Sequence, residues 1–89
     1  MRAVITVIGR DTVGILAKVS AKCAEYRINI QEVTQSILQD MFVMMMMVEV
    51  SGSSIPFTEF ADEMTALGQA EGLSIHTMHE DIFNSMHTI

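Results

Sequence analysis

The chain has 89 residues, the length of one small domain, and its net charge of −6 gives it an acidic surface. Such a surface repels the phosphates of nucleic acids, and only five Lys and Arg residues are available to contact an anionic membrane. The hydrophobic fraction of 49% is high for so small a chain, so we expect a second copy to cover part of the apolar surface.

The cysteine content and the length of the apolar segments indicate the compartment. The single cysteine, Cys23, excludes a disulfide within the chain, which fits a reducing environment. The apolar run near the N-terminus is too short for a signal peptide. The longest apolar run, residues 41–48, falls short of the roughly 20 residues that span a bilayer. We therefore expect a cytoplasmic protein that binds neither a membrane nor nucleic acid.

The first half of the chain has the pattern of a strand, a helix and a second strand. Residues 3–8 are β-branched and apolar, which predicts a central strand. A polar, glycine-flanked turn follows, and apolar residues at helical spacing predict a helix over 13–26. Residues 28–38 mix polar with β-branched side chains, which is typical of an edge strand.

The second half repeats this plan and adds a tail. Residues 42–50 are apolar and predict a third strand. A second helix is expected to begin at Pro56 and to end at Gly72, because proline suits the first turn of a helix and glycine suits its end. Residues 73–79 alternate as a fourth strand does, and residues 80–89 predict a short helical tail.

This order of elements predicts one α+β domain over residues 1–89 with the ferredoxin-like βαββαβ fold. Right-handed crossovers place both helices on one face of a four-stranded antiparallel sheet. A hairpin between the second and third strands then gives the strand order 4-1-3-2, which leaves the second and fourth strands at the edges.

Alternation along the strands divides the side chains between the two faces of this sheet. In the third strand, Met44 and Met46 share the face that the helices cover, whereas Met45 and Met47 point to the open face. In the second strand, the same alternation places Ile30 on one face with Glu32. Because an exposed apolar face promotes aggregation, we expect a partner sheet or the C-terminal tail to cover Met45 and Met47.

Two short motifs resemble those of a known family. Residues 7–16 end in a D-x-x-G-I-L turn and resemble the opening of ACT domains, and residues 28–30 are similar to the N-I start of the family's second strand. The tail over 81–87 resembles that of small stand-alone ACT proteins related to the glycine-cleavage regulators. The resemblance implies a regulatory, amino-acid-sensing fold that assembles through paired domains.

The resemblance also implies a ligand site between the turn that precedes the first helix of one copy and the second strand of its neighbour. Gly14 lets another chain or a ligand approach the backbone, and a helix N-terminus favours a carboxylate. Asn29 offers the donor and the acceptor that an amino acid needs. A purely structural alternative stays open, in which Asp11 caps the helix, Gly14 permits the turn and Asn29 ends the helix. The matching positions are Asp11, Gly14, Ile15, Asn29 and Ile30.

No arrangement of side chains predicts a catalytic centre, a metal site or a cofactor. His76 and His79 are three residues apart on a strand, so they point to opposite faces. A zinc site made from His79 and His87 would need a third ligand. The second helix carries an acidic face that we expect to be solvated, formed by Glu59, Asp62 and Glu63.

Two functions therefore remain, and the residues argue against a third. The first is a regulatory module that binds an amino acid or a similar small metabolite between the subunits of a dimer or tetramer. The alternative is a protein–protein interaction module with no small ligand, which would use the edge strands and the methionine-rich face. An enzyme on the same scaffold would need convergent titratable side chains, and the sequence offers no such set, so we expect no enzyme.

Overall fold

The structure is a computed structural model and describes residues 1–10 and 14–86. The strands are β1, Arg2–Gly9; β2, Asn29–Leu38; β3, Met41–Glu49; and β4, Ser74–His79. The helices are α1, Ile15–Glu25; α2, Phe57–Glu71; and α3, Glu80–Met86. This order, β1-α1-β2-β3-α2-β4-α3, confirms the predicted series of elements.

The strands form one antiparallel sheet in the order β2-β3-β1-β4, which is the predicted order read from the opposite edge. The buried side chains of α1 and α2 join one apolar cluster with alternate residues of β1 and β3. Both helices therefore cover the same face of the sheet, and the ferredoxin-like α+β fold is confirmed. We call the opposite side of the sheet the open face.

The helices begin and end where the sequence provides suitable residues. Gly14, with φ 75°, precedes α1, which buries Ile15, Val19 and Cys23 at intervals of four residues. Pro56 precedes α2, and Gly72, with φ 71°, closes it by donating its N–H to the carbonyl of Gly68. Glycine is suited to both positive φ angles because it lacks the Cβ that makes this region costly for other residues.

One predicted orientation in β2 is wrong. Ile30 lies opposite the buried Val48, whereas Glu32 lies opposite Met47 on the open face. The pairing register shifts between Ile30 and Glu32, so one extra residue interrupts the alternation. Ile30 therefore packs against the core and does not share a face with Glu32.

Helix α3 follows β4 directly and covers part of the open face. Its Phe83 lines a cleft together with Val4, Met45 and Met47, and Val4 is 2% exposed although it lies on this side of the sheet. The Arg2 guanidinium on β1 donates to both carboxylate oxygens of Glu80, the first residue of α3. Helix α3 thus lies against β1 and β4 and borders Met45 and Met47 without closing over them, so what covers these two methionines stays a prediction.

Candidate functional site

Gly14 immediately precedes α1 and has a left-handed backbone conformation. Gly14 is exposed, and a Cβ added to it would meet no described atom within 4 Å. The next residue, Ile15, is buried in the core and anchors the start of the helix. Gly14 has no side chain with which to cap α1, and the first turn contains no acidic residue. The N-terminus of α1 therefore offers a positive end to a carboxylate. Asp11 lies outside the described residues.

The start of β2 supplies the other predicted residues. Asn29 is exposed and pairs with Glu49 of β3, and Ile30 is half-buried against the core. The structural alternative for Asn29 does not hold, because α1 ends at Glu25 and the left-handed residue after the helix is Arg27, with φ 61°. Asn29 thus does not end α1, and its side chain is exposed to solvent.

A single chain keeps the two halves of this candidate site apart. Gly14 and Ile15 lie at the start of α1, and Asn29 and Ile30 lie beyond its end. Helix α1 has 11 residues, so the two pairs are separated by at least roughly 16 Å. A ligand of amino-acid size cannot bridge that distance, and a shared site needs a second copy.

The edge strand β2 carries apolar side chains that the sequence analysis did not single out. Within the described residues, β2 pairs only with β3, so its other edge has unpaired backbone groups. Ile37 is 74% exposed, Leu38 is 63% exposed, and Val33 on the same strand is 38% exposed. The sequence did contain a signal, because Val33 and Ile37 lie on the same face of the strand. The polar residues around them made the strand look fully solvated.

The acidic face of α2 is exposed to solvent, and one of its three carboxylates also contacts α1. Glu63 Oε1 accepts a hydrogen bond from the Tyr26 hydroxyl at 2.6 Å and another from Lys22 Nζ at 3.4 Å. The hydrogen bond from Tyr26, followed by the charge of Lys22, lowers the pKa of Glu63. The other two acidic residues, Glu59 and Asp62, are exposed as expected. Glu63 therefore joins α2 to α1 while its side chain stays 41% exposed, so the acidic face is solvated as predicted.

The remaining reactive groups do not converge. Cys23 is fully buried, and this burial raises the pKa of its thiol to about 11. His76 and His79 lie on opposite faces of β4, and the His79 ring packs edge-on against Phe57 with 6.4 Å between centroids. Across the described ranges, no three His, Cys, Asp or Glu side chains are close enough to share a metal ion. His87 lies outside these ranges.

The fold and the turn before α1 together define a small ferredoxin-like α+β module. The family model described as the ACT domain matches residues 2–77, and the chain belongs to the ACT domain family. ACT domains are generally regulatory and bind small ligands, and many of them form oligomers. Among residues 1–10 and 14–86, no helix combines the length and the apolar composition needed to cross a bilayer.

Several known proteins resemble this chain closely. A UPF0237 protein of Listeria innocua is 48% identical over the full length of both chains. The solved structure of an ACT domain protein from Streptococcus pneumoniae has a TM-score of 0.81 and 37% identity, covering 100% of this chain and 97% of that one. A protein assigned as a glycine cleavage system transcriptional repressor shares the fold, with a TM-score of 0.76 and 18% identity over 85% of this chain and 44% of that one. The chain thus resembles small stand-alone ACT proteins.

Proposed function

We propose that this chain is a regulatory module that binds an amino acid or a similar small metabolite between two copies. The N-terminus of α1 in one copy and the start of β2 in the other would hold the ligand. The observation that carries this proposal is the separation of Gly14 from Asn29 along α1, combined with the unpaired edge of β2. Neither half is a site by itself, and the exposed edge offers a way to join them.

Antiparallel pairing of β2 with the β2 of a second copy brings the two halves together. In a two-fold arrangement, the start of each strand lies beside the end of the other. The end of β2 is at the same side of the sheet as the end of β1, because Leu38 pairs with Met41 and Gly9 pairs with Phe42. Gly14 follows the end of β1 by five residues in the sequence. Each Asn29 would therefore approach the α1 N-terminus of the other copy, and the dimer would contain two equivalent sites.

The chemistry of the two halves suits an α-amino acid. The α1 N-terminus favours the carboxylate, and the Asn29 amide both accepts from an ammonium group and donates to a carboxylate. Because no described atom lies within 4 Å of a Cβ added to Gly14, the head group would have room beside it. Asp11, three residues before Gly14 in the sequence, would add a negative charge that attracts the ammonium group. Ile15 and Ile30 contribute mainly to packing, since one is buried and the other is half-buried.

The exposed apolar side chains of β2 support assembly through this edge. Ile37 projects from the helix-facing side of the sheet, where no helix of its own chain covers it within the described residues. Pairing of two copies would bury Ile37 and Val33 against the neighbour. Burial of apolar area stabilises association by about 25 cal/mol per Å².

The test combines ligand binding with oligomeric state. Thermal unfolding is recorded against each common amino acid, because selective binding to the native state raises the melting temperature with concentration. We expect one or a few amino acids to do so, and Asn29→Ala to weaken their binding by about tenfold. Sedimentation is expected to report a dimer or tetramer that Ile37→Lys disrupts, with loss of the thermal shift. The matched control is Ile82→Lys, since Ile82 is also exposed but lies on α3.

A protein–protein interaction module is the second candidate, and the exposed Ile37 and Leu38 at an unpaired strand edge favour it. An extended peptide of another protein could add to β2 as a further strand. A monomeric chain whose melting temperature responds to no amino acid at millimolar concentration would favour this function over the regulatory one.

A further inference from the structure

The open face contains a cleft that lies outside the proposed amino-acid site. Met45 and Met47 form its floor, Val4 and Phe83 form one wall, and Glu32 and Thr34 form the other. The strand register explains this arrangement, because Met47 lies between Val4 and Glu32, and Thr34 flanks Met45 on the β2 side. The cleft therefore has an apolar floor, an apolar wall beside α3 and a polar wall on β2.

Glu32 makes the polar wall negative. Its side chain is exposed and makes no hydrogen bond or ion pair with another described residue. The Arg2 guanidinium lies near enough to Glu32 for their charges to interact, but its hydrogen bonds go to both carboxylate oxygens of Glu80. Arg2 thus acts on Glu32 only through its charge and makes no hydrogen bond to it, so the Glu32 oxygens can still accept from a bound ammonium group. Thr34 adds a hydroxyl that can accept from the same cation.

The size of the cleft limits the ligand to a small molecule. Its volume is about 130 Å³. An apolar cavity of roughly 150 Å³ holds a benzene molecule, so this space suits one ring or a short alkyl chain. The methionine side chains can adjust to the shape of such a group because they are unbranched and polarisable. The Phe83 ring can pack against it.

We propose that this cleft binds a small primary amine, with its apolar body between Phe83 and the two methionines and its ammonium group at Glu32 and Thr34. The site is independent of Gly14 and Asn29 and needs only one copy of the chain. The negative net charge of the protein attracts such a cation to the surface. A carboxylate in the same cleft would be repelled by Glu32.

The experiment is a titration of the full chain, labelled on its methionine methyl groups, with benzylamine and separately with benzyl alcohol. The two compounds have the same ring but differ in charge. We expect the signals of Met45 and Met47, identified with Met45→Leu and Met47→Leu, to shift and saturate at millimolar benzylamine. The signal of Met64, which is fully buried in the core, is expected to stay in place. Benzyl alcohol is expected to bind more weakly.

Charge variants separate the ammonium contact from general apolar binding. Glu32→Gln is expected to weaken benzylamine binding about three- to fivefold and to leave benzyl alcohol unchanged, as for an exposed ion pair. Glu59→Gln, an exposed carboxylate on α2, is the matched control and changes neither titration. Glu32 is exposed, so its variant retains the fold, which the methyl spectrum itself verifies.

Three results would overturn the proposal: signals of Met45 and Met47 that do not saturate, equal binding of the amine and the alcohol, or no effect of Glu32→Gln. Asn29→Ala leaves the benzylamine titration unchanged if the two sites are separate. Failure at this cleft and failure of the amino-acid proposal are therefore distinguishable.

Discussion

The hydroxyl group of Tyr26 donates a hydrogen bond of 2.6 Å to Oε1 of Glu63. Tyr26 is the residue that closes α1, and Glu63 lies in the middle of α2, so this contact ties the two helices together on the covered side of the sheet. Lys22 Nζ approaches the same oxygen at 3.4 Å, and the Tyr26 ring packs edge-on against Phe60 with 6.4 Å between centroids. The polar contacts of Tyr26, Lys22 and Glu63 therefore join α1 to α2 at the outer edge of the apolar contact between the two helices.

This contact predicts the titration of Tyr26. Its hydrogen bond to Glu63, with a smaller effect of Glu25, raises the pKa of Tyr26 above its ordinary 10. As the pH rises, the Tyr26 hydroxyl loses its proton in the unfolded chain before it does so in the folded protein. The contact therefore stabilises the fold fully below pH 10, and its contribution is lost as the pH rises through the folded-state pKa.

The tyrosinate absorbance measures this pKa directly, because the chain has one tyrosine and no tryptophan. We expect a midpoint above 10 for the native protein and a midpoint closer to 10 for Glu63→Gln. Glu59→Gln serves as the control, since Glu59 makes no such contact with Tyr26, and should leave the midpoint in place. A native midpoint at 10 would contradict the hydrogen bond.

Met46 and Met86 lie in different environments, so we expect their replacement by alanine to lower the stability of the fold by different amounts. Met46 is fully buried between the sheet and the helices, whereas Met86 at the end of α3 is 65% exposed. Met46→Ala is expected to lower the free energy of unfolding by about 2 to 5 kcal/mol, because the cavity it leaves is not refilled. Met86→Ala is expected to change it by no more than about 0.5 kcal/mol. Urea unfolding of both variants measures these values, and equal costs would place Met46 outside the core.

The sequence predicted the elements and the sheet order because each element carries its own periodicity. The orientation of Ile30 could not be obtained in the same way. Its face depends on the register shift next to Glu32, and a register belongs to two paired strands and not to one. The contact of Glu63 was missed for a related reason, since its partner Tyr26 lies 37 residues away and no local pattern links them.

The sequence indicated which residues form the candidate site but not where they lie relative to one another. The turn motif and the N-I motif pointed to Gly14 and Asn29, and the structure locates them at opposite ends of α1. In the proposed site their relation would depend on a second copy, and the sequence of one chain does not encode a contact distance between two. The exposed Ile37 escaped notice because exposure depends on where the helices end over the sheet.

The environment of Cys23 predicts an unreactive thiol. The side chain is fully buried, and burial raises its pKa to about 11, so little thiolate forms at neutral pH. We expect a disulfide reagent to modify native Cys23 slowly and to modify it at once in urea. Ala21→Cys provides the control, because Ala21 is exposed on the same helix and should add one fast-reacting thiol. Rapid modification of the native wild-type chain would show that the core around α1 opens readily.

Helix α2 packs closely against β4 because Gly68 has no side chain. A Cβ at this position would lie 2.8 Å from the carbonyl oxygen of Leu73 and 3.0 Å from Cγ1 of Ile75. Leu73 also donates its N–H to the carbonyl of Gly68 at 2.8 Å, so the backbone here cannot separate without losing that bond. Alanine favours a helix over glycine by about 1 kcal/mol, which offsets part of the steric cost.

We expect Gly68→Ala to lower the free energy of unfolding by roughly 1 to 3 kcal/mol, because the steric clash outweighs the gain in helix propensity. Gly52→Ala is the matched control, since the nearest atom to its added Cβ is the Arg27 carbonyl oxygen at an ordinary 3.6 Å. That variant is expected to stay within about 0.5 kcal/mol of the wild type. Urea unfolding compares the two. A Gly68→Ala chain as stable as the wild type would mean that α2 can move away from β4 at little cost, and the close packing of Gly68 on Leu73 would then not be needed for the fold.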